Sequence, residues 1–149
     1  MRVVVQRVLR AAVRDVAGDV AGAAAHIDHG MVLLAGFRTS DDDAVVDWMA
    51  AKCLGLRIFS NDAGAFDRTV ADCGGAVLAV PNFTLYGDAS RGRRPSFTDA
   101  APPEFAAARF ERFLTALRRG PVPVASGFFR THMHVELVND GPVTLWLER

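Results

Sequence analysis

The chain has 149 residues, half of them hydrophobic, the size and composition of one globular domain with a single sizeable core. Its 17 basic and 17 acidic residues cancel, which excludes a bulk polyanion binder, so any contact with nucleic acid has to come from a local patch. The two cysteines, Cys53 and Cys73, lack metal-ligand spacing and read as reduced thiols, the opening Met1-Arg2-Val3-Val4-Val5-Gln6-Arg7 is too short and too charged for a signal peptide, and no apolar run approaches a membrane span; the expectation is a cytoplasmic protein without membrane contact.

Val3, Val4, Val5 and Val8 are β-branched and predict a first strand, which a further apolar run carries to Val16. Ala17-Gly18-Asp19 offers a turn, and Val20 onward reads as the returning strand of a hairpin. Gly30 opens Met31-Val32-Leu33-Leu34-Ala35-Gly36-Phe37, apolar on both faces and therefore central in a sheet. Thr39 or Ser40 is the expected cap of a first helix. Asp41, Asp42 and Asp43 then fall in its first turn, where carboxylates meet the positive end of the helix dipole. Val45, Trp48, Met49 and Lys52 or Cys53 recur at helical spacing and predict its buried stripe. Arg57-Ile58-Phe59-Ser60 reads as a short strand, Asn61-Asp62-Ala63-Gly64 as a turn, and Ala76-Val77-Leu78-Ala79-Val80 as a buried strand. Residues 87–101 turn to Gly, Ser, Pro and Arg, a loop long enough to suggest a function of its own. Pro102 and Pro103 start a second helix, with Ala106, Phe110, Phe113, Leu114 and Leu117 on its apolar face and Gly120-Pro121 at its end. Strands around 122–124, 133–138 and 143–147 complete the chain, and there is no internal repeat.

Many strands with two helices imply the α+β class. The expected architecture is a single domain over residues 1–149: a curved, mostly antiparallel sheet or partly open β-barrel, with both helices on one side. Two helices cannot cover both faces of such a sheet, and a symmetric dimer is the commonest way to cover the rest.

Thr84 is the hydroxyl best placed to carry chemistry, because it lies where a buried strand gives way to a loop. A bare threonine is a weak nucleophile and needs a base, yet no histidine or carboxylate adjoins it. From its chemistry alone it reads first as a β-branched strand residue. The backbone N–H groups of Phe83 and Thr84 offer a different role, as donors to an oxyanion in acyl transfer. Gly141-Pro142 is unusual for standing tight against a strand; by physics alone it is an ordinary trans turn. Arg91, Arg93 and Arg94 make a compact basic loop, either a phosphate grip or a solvated surface. His132 and His134 share a strand face but have no evident third ligand, His26 and His29 read as surface loop residues, and no metal or cofactor is expected.

Gln6-Arg7-Val8, Arg57-Ile58-Phe59-Ser60, Phe83-Thr84-Leu85, Gly92-Arg93-Arg94-Pro95-Ser96-Phe97 and Asn139-Asp140-Gly141-Pro142-Val143-Thr144 occur in one order along nearly the whole chain. In that set and order the sequence resembles the D-aminoacyl-tRNA deacylases. The resemblance implies a cytoplasmic homodimer that hydrolyses the ester joining a D-amino acid to the acceptor end of tRNA, and glycyl-tRNA as a leak. It implies a cis Gly141-Pro142 bond, with the pair reaching into the other subunit's site so that rigid backbone excludes an L side chain. It further implies that Arg7 braces that loop, that Phe129 lines the pocket near the terminal adenosine, and that Arg91, Arg93 and Arg94 contact tRNA. In this family the substrate's own 2′-hydroxyl is thought to help activate water, so Thr84 belongs to the site without being an obligatory nucleophile. One departure stands out: Pro81-Asn82 replaces the family's usual Ser-Gln, and a proline there is similar to the related deacylase that removes L-alanine. The competing readings are a deacylase of relaxed chirality acting also on small L-aminoacyl esters, a non-catalytic protein that binds the tRNA acceptor end, and a plain dimeric scaffold.

Overall fold

The computed structural model describes residues 1–17 and 22–149. The elements are β1 (Arg2–Asp15), β2 (Ala24–Ile27), β3 (Gly30–Gly36), α1 (Asp43–Leu54), β4 (Phe59–Ser60), β5 (Phe66–Arg68), β6 (Ala76–Pro81), a one-turn 3-10 helix (Phe83–Tyr86), α2 (Pro103–Arg118), β7 (Val124–Ser126) and β8 (Met133–Glu148). The main sheet runs β2-β1-β3-β6-β7, with β8 on the other edge of β1. At 14 residues β1 is long enough to serve two partners in succession: residues 2–8 pair with β3 and residues 11–14 with β2, while β8 follows the opposite edge. These ladders are antiparallel. The β3–β6 and β6–β7 ladders are parallel, so the sheet is mixed, with antiparallel pairing in the majority as expected. Parallel neighbours need a long crossover, and the stretches containing α1 and α2 supply it.

Two apolar clusters sit on the two faces of the sheet. On the helix side Val3, Val5, Met31, Leu33 and Val77 meet Met49 and Cys53 of α1 and Phe110, Phe113 and Leu117 of α2. On the other side Val8, Ala11, Val13, Val32, Leu78 and Val80 pack with Phe128, Met133 and Leu137. A strand alternates faces with period two, but β1 does so out of step. Ordinary alternation puts residues 3 and 5 toward the helices and 8 away; one extra β1 residue at the register shift between Val8 and Arg10 then brings 11 and 13 to the same side as 8. β3 is apolar on both faces and central, as its sequence predicts.

Several boundaries differ from expectation. Asp42, not Thr39 or Ser40, caps α1, its Oδ1 accepting the Val45 N–H at 2.8 Å. Asp41 lies outside the helix, fully buried, and accepts the Met1 amine at 2.5 Å and the Arg38 N–H at 2.9 Å. The buried stripe of α1 is Val46, Met49, Ala50 and Cys53, turned by one residue from the predicted set. Trp48 is exposed, and the Arg149 guanidinium lies 4.5 Å over its ring. The short strand begins only at Phe59 and pairs with β5, which the sequence reading lacked. β2 begins at Ala24, so His26 lies on a strand rather than in a loop; the predicted turn at Gly18-Asp19 and strand start at Val20 lie outside the described residues. The two predicted terminal strands are a single β8 of 16 residues, interrupted in register around residues 139–143.

Candidate active site

A cleft of about 1080 Å³ opens beside the end of β6. Its walls come from the end of β3, from Val80 to Phe83, from Phe97, from the start of α2, and from the 128–133 segment. Pro81 has no N–H to give, and it occupies the last rung of β6, opposite Ala35. The ladder closes one residue later, where Asn82 N–H donates to the Ala35 carbonyl at 2.8 Å. Gly36 makes this approach possible, since a Cβ there would lie 2.9 Å from the Asn82 carbonyl oxygen.

Asn82 then caps the 3-10 turn. Its Oδ1 accepts the Thr84 N–H at 3.2 Å and the Thr84 hydroxyl at 2.5 Å. The hydroxyl thus meets a carboxamide oxygen, which accepts a hydrogen bond but has no useful basicity. Phe83 is 58% exposed at the cleft, its ring edge-to-face with Phe97 at 5.1 Å. Phe129 lines the opposite wall. Its loop is pinned by Gly127 N–H to the Ala79 carbonyl at 2.8 Å, by Phe128 N–H to Met133 Sδ at 3.2 Å, and by the Thr131 hydroxyl to buried Asp15 at 2.5 Å.

The Gly141–Pro142 bond is cis. It lies in a bulge of β8: Thr144 pairs with Gln6 and Asn139 with Val8, so residues 140–143 face Arg7 alone. Two side chains hold the bulge. Asn139 Nδ2 donates to the carbonyls of Arg7 (3.1 Å) and Val143 (3.0 Å), and its Oδ1 accepts the Val143 N–H at 3.4 Å. Buried Arg7 donates Nε to the Asp140 carbonyl at 2.9 Å and Nη1 to the Ile58 carbonyl at 2.5 Å, pairs with the Asp140 carboxylate at 2.9 Å, and stacks over Phe66. Gly141 admits no side chain: a Cβ would stand 2.2 Å from Asn139 Oδ1 and 2.3 Å from the Val143 nitrogen.

Pro81, Asn82, Phe83 and Phe129 therefore meet at one cleft, with Thr84 next to it. Gly141, Pro142 and Arg7 are not among the residues lining the cleft of their own chain. Arg91, Arg93 and Arg94 are exposed at the tip of a loop closed by paired Asp88 and Ser96, and Phe97 carries the base of that loop to the cleft. The sequence does not single out Phe97, Asn139 or Arg130 as site residues. The first two lie inside the quoted motifs, but Arg130 leaves no mark in the sequence. His132 and His134 stack edge-on with centroids 5.4 Å apart, and among the described residues no group of three or more His, Cys, Asp or Glu could hold a metal ion. No described helix is long and apolar enough to cross a membrane.

A family model described as D-Tyr-tRNA(Tyr) deacylase matches residues 4–148. The chain is 52% identical over 149 residues to a D-aminoacyl-tRNA deacylase of Chloroherpeton thalassium, covering 99% of this chain and 95% of the relative. It is 49% identical over 148 residues to that of Carboxydothermus hydrogenoformans, covering 99% of each. Among solved structures, the c-Myc DNA Unwinding Element Binding Protein matches with a TM-score of 0.90 at 35% identity, over 100% of this chain and 99% of that one. A probable eukaryotic D-amino acid tRNA deacylase matches with a TM-score of 0.81 at 18% identity, over 98% and 97%, a likeness of fold alone. Matched over residues 4–148 by the family model and over 99% of its length by relatives about half identical to it, the chain belongs to the D-aminoacyl-tRNA deacylase family of ester hydrolases.

Proposed function

We propose that this deacylase works as a cytoplasmic homodimer that reads handedness with backbone, the Gly141-Pro142 segment of one subunit closing the cleft of the other. The observation that carries this reading is the double clamp of Arg7 and Asn139 on a bulge that serves no wall of its own cleft. With the amino group and ester fixed, inverting Cα exchanges hydrogen for side chain, and an L side chain then meets main chain that cannot yield. Rejection of one enantiomer in this way requires no affinity for any particular D side chain. Glycine has no side chain to reject, so glycyl-tRNA is a substrate too.

The terminal adenosine rests near Phe129, and the ester carbonyl points at the N–H groups of Phe83 and Thr84. The opening amides of a helical turn have no backbone partner within the turn, and Thr84 N–H, which donates to Asn82 Oδ1 at 3.2 Å, exchanges that side-chain oxygen for the oxyanion. Water, assisted by the 2′-hydroxyl of the terminal ribose, attacks the carbonyl carbon. The tetrahedral intermediate then expels the 3′-oxygen, which takes up a proton, and D-amino acid and tRNA leave. Arg91, Arg93 and Arg94 grip phosphates farther along the acceptor arm.

The test is to present D-Tyr-, Gly-, L-Ala- and L-Tyr-tRNA to purified protein and follow ester loss. Hydrolysis of D-Tyr and Gly with both L esters spared is the expected result. Cleavage of L-Ala-tRNA would instead support relaxed chirality, the reading to which Pro81 at the cleft lends weight. Binding of tRNA without turnover would reduce the protein to an acceptor-end binder.

A further inference from the structure

We propose that Arg130 is a phosphate-binding residue at the mouth of the cleft, taking a backbone phosphate close to the 3′ end of the tRNA; this rests on the reading above that the cleft receives that end. Among the described residues that line the cleft there is no aspartate, glutamate or lysine, and Arg130 is the one permanently charged side chain. A fixed positive charge beside apolar walls selects an anion. The part common to every substrate offers only one kind: the amino-acid α-carboxyl is esterified and the amino group is cationic, which leaves the phosphodiesters.

Three further observations favour a binding role over a structural one. Arg130 is the single described residue other than glycine with positive φ, at +58°, a region where L side chains are disfavoured and where glycine would fit more easily. A long cation held there answers no packing need, for the residue is exposed. Its charge is also uncommitted, because among the described residues no carboxylate lies within ion-pair range of it. Its mount, by contrast, is firm. The neighbouring Thr131 hydroxyl is tied to Asp15, which is 1% exposed, and Phe128 N–H to Met133 Sδ, so the loop presents the guanidinium from a fixed backbone. A planar fork on such a mount matches two phosphate oxygens at once.

The experiment measures binding of uncharged tRNA across a salt series, and steady-state hydrolysis of D-Tyr-tRNA, for the wild type, Arg130→Gly and Arg130→Lys. Glycine removes the charge while suiting the left-handed backbone, so its melting temperature should not fall. We expect Arg130→Gly to bind tRNA about three- to tenfold more weakly at low salt. The slope of log affinity against log salt should shrink by about 0.7 to 1, the signature of one lost phosphate contact. The kinetic loss should fall on KM rather than kcat, and Arg130→Lys should restore the slope. Unchanged affinity and slope in Arg130→Gly, a loss confined to kcat, or a lysine variant no better than glycine would each overturn the proposal. Failure of the wild type to hydrolyse D-Tyr-tRNA would count against the function proposed above, and the salt slopes would still decide Arg130.

Discussion

Under the function proposed above, Thr84 sits at the reaction centre without performing the reaction. Its hydroxyl hydrogen is spent on Asn82 Oδ1, and a carboxamide cannot take the proton that a nucleophilic attack would release. Thr84→Ala should therefore keep substantial single-turnover deacylation of D-Tyr-tRNA; complete loss in a folded variant would show that the hydroxyl is needed. Arg7 is the converse case, a side chain that under the same proposal acts through another group. Its guanidinium is nearly buried and answers the carbonyls of Asp140 and Ile58. Arg7→Ala strands those acceptors, which should cost about 1–3 kcal/mol in urea unfolding. Because the same bonds hold the Gly141-Pro142 bulge, the ratio of D-Tyr to L-Tyr hydrolysis should fall as well; a variant that loses stability and keeps the ratio would separate Arg7 from discrimination. The residue types at the cleft were legible because Pro81, Asn82, Phe83 and Phe129 lie in recognisable runs. Arg130 was not, since nothing in a one-dimensional string reveals the sign of φ.

At the scale of elements, the sequence spoke clearly where one pattern excluded the others. β3 is apolar at every position and could only be central, and α2 has one apolar face bounded by prolines. α1 was ambiguous because Val45, Val46, Trp48, Met49, Ala50 and Ala51 surround most of the helix, so the hydrophobic pattern does not choose a face. Packing chose the one that carries Cys53 inward. That choice has a chemical consequence. Burial pushes the Cys53 thiol up to about 12, whereas an ordinary thiol lies near 9.0. A raised acid favours the neutral form in the fold, so this stabilisation is complete below the ordinary value and is lost as pH climbs from there to about 12. At pH 8 a thiol reagent should label no more than one cysteine per native chain, the half-buried Cys73, and two after denaturation. Prompt labelling of two in native protein would place Cys53 outside the core. Gly141-Pro142 looks like a break in the sequence and predicts two strands; a bulge opposite Arg7 absorbs the extra residues and the ladder resumes.

At the scale of the whole molecule, the helices cover one face of the sheet, and apolar side chains remain outside on the other elements: Leu9 is 55% exposed, Phe66 55% and Trp146 50%. β8, which carries Trp146, also carries the Gly141-Pro142 bulge, and Phe66 lies under the Arg7 guanidinium that braces it. Exposed apolar side chains on the elements that carry or brace the Gly141-Pro142 bulge are what a subunit interface would need under the proposal that one copy completes the other's cleft. The class of fold was legible from the count and spacing of strands. The mixed sheet was not, because parallel pairing depends on which strands the helical crossovers bring together. The separation of the Gly141-Pro142 bulge from its own cleft is likewise a property of three dimensions only. The most direct measurement is a crystal structure of the protein with a non-hydrolysable amide analogue of D-tyrosyl-adenosine. The account predicts two copies about a twofold axis, the adenine beside Phe129 of one, and the Gly141 and Pro142 carbonyls of the other in contact with the D-tyrosyl Cα. An analogue enclosed wholly by residues of a single copy, with that segment turned away from it, would contradict the account.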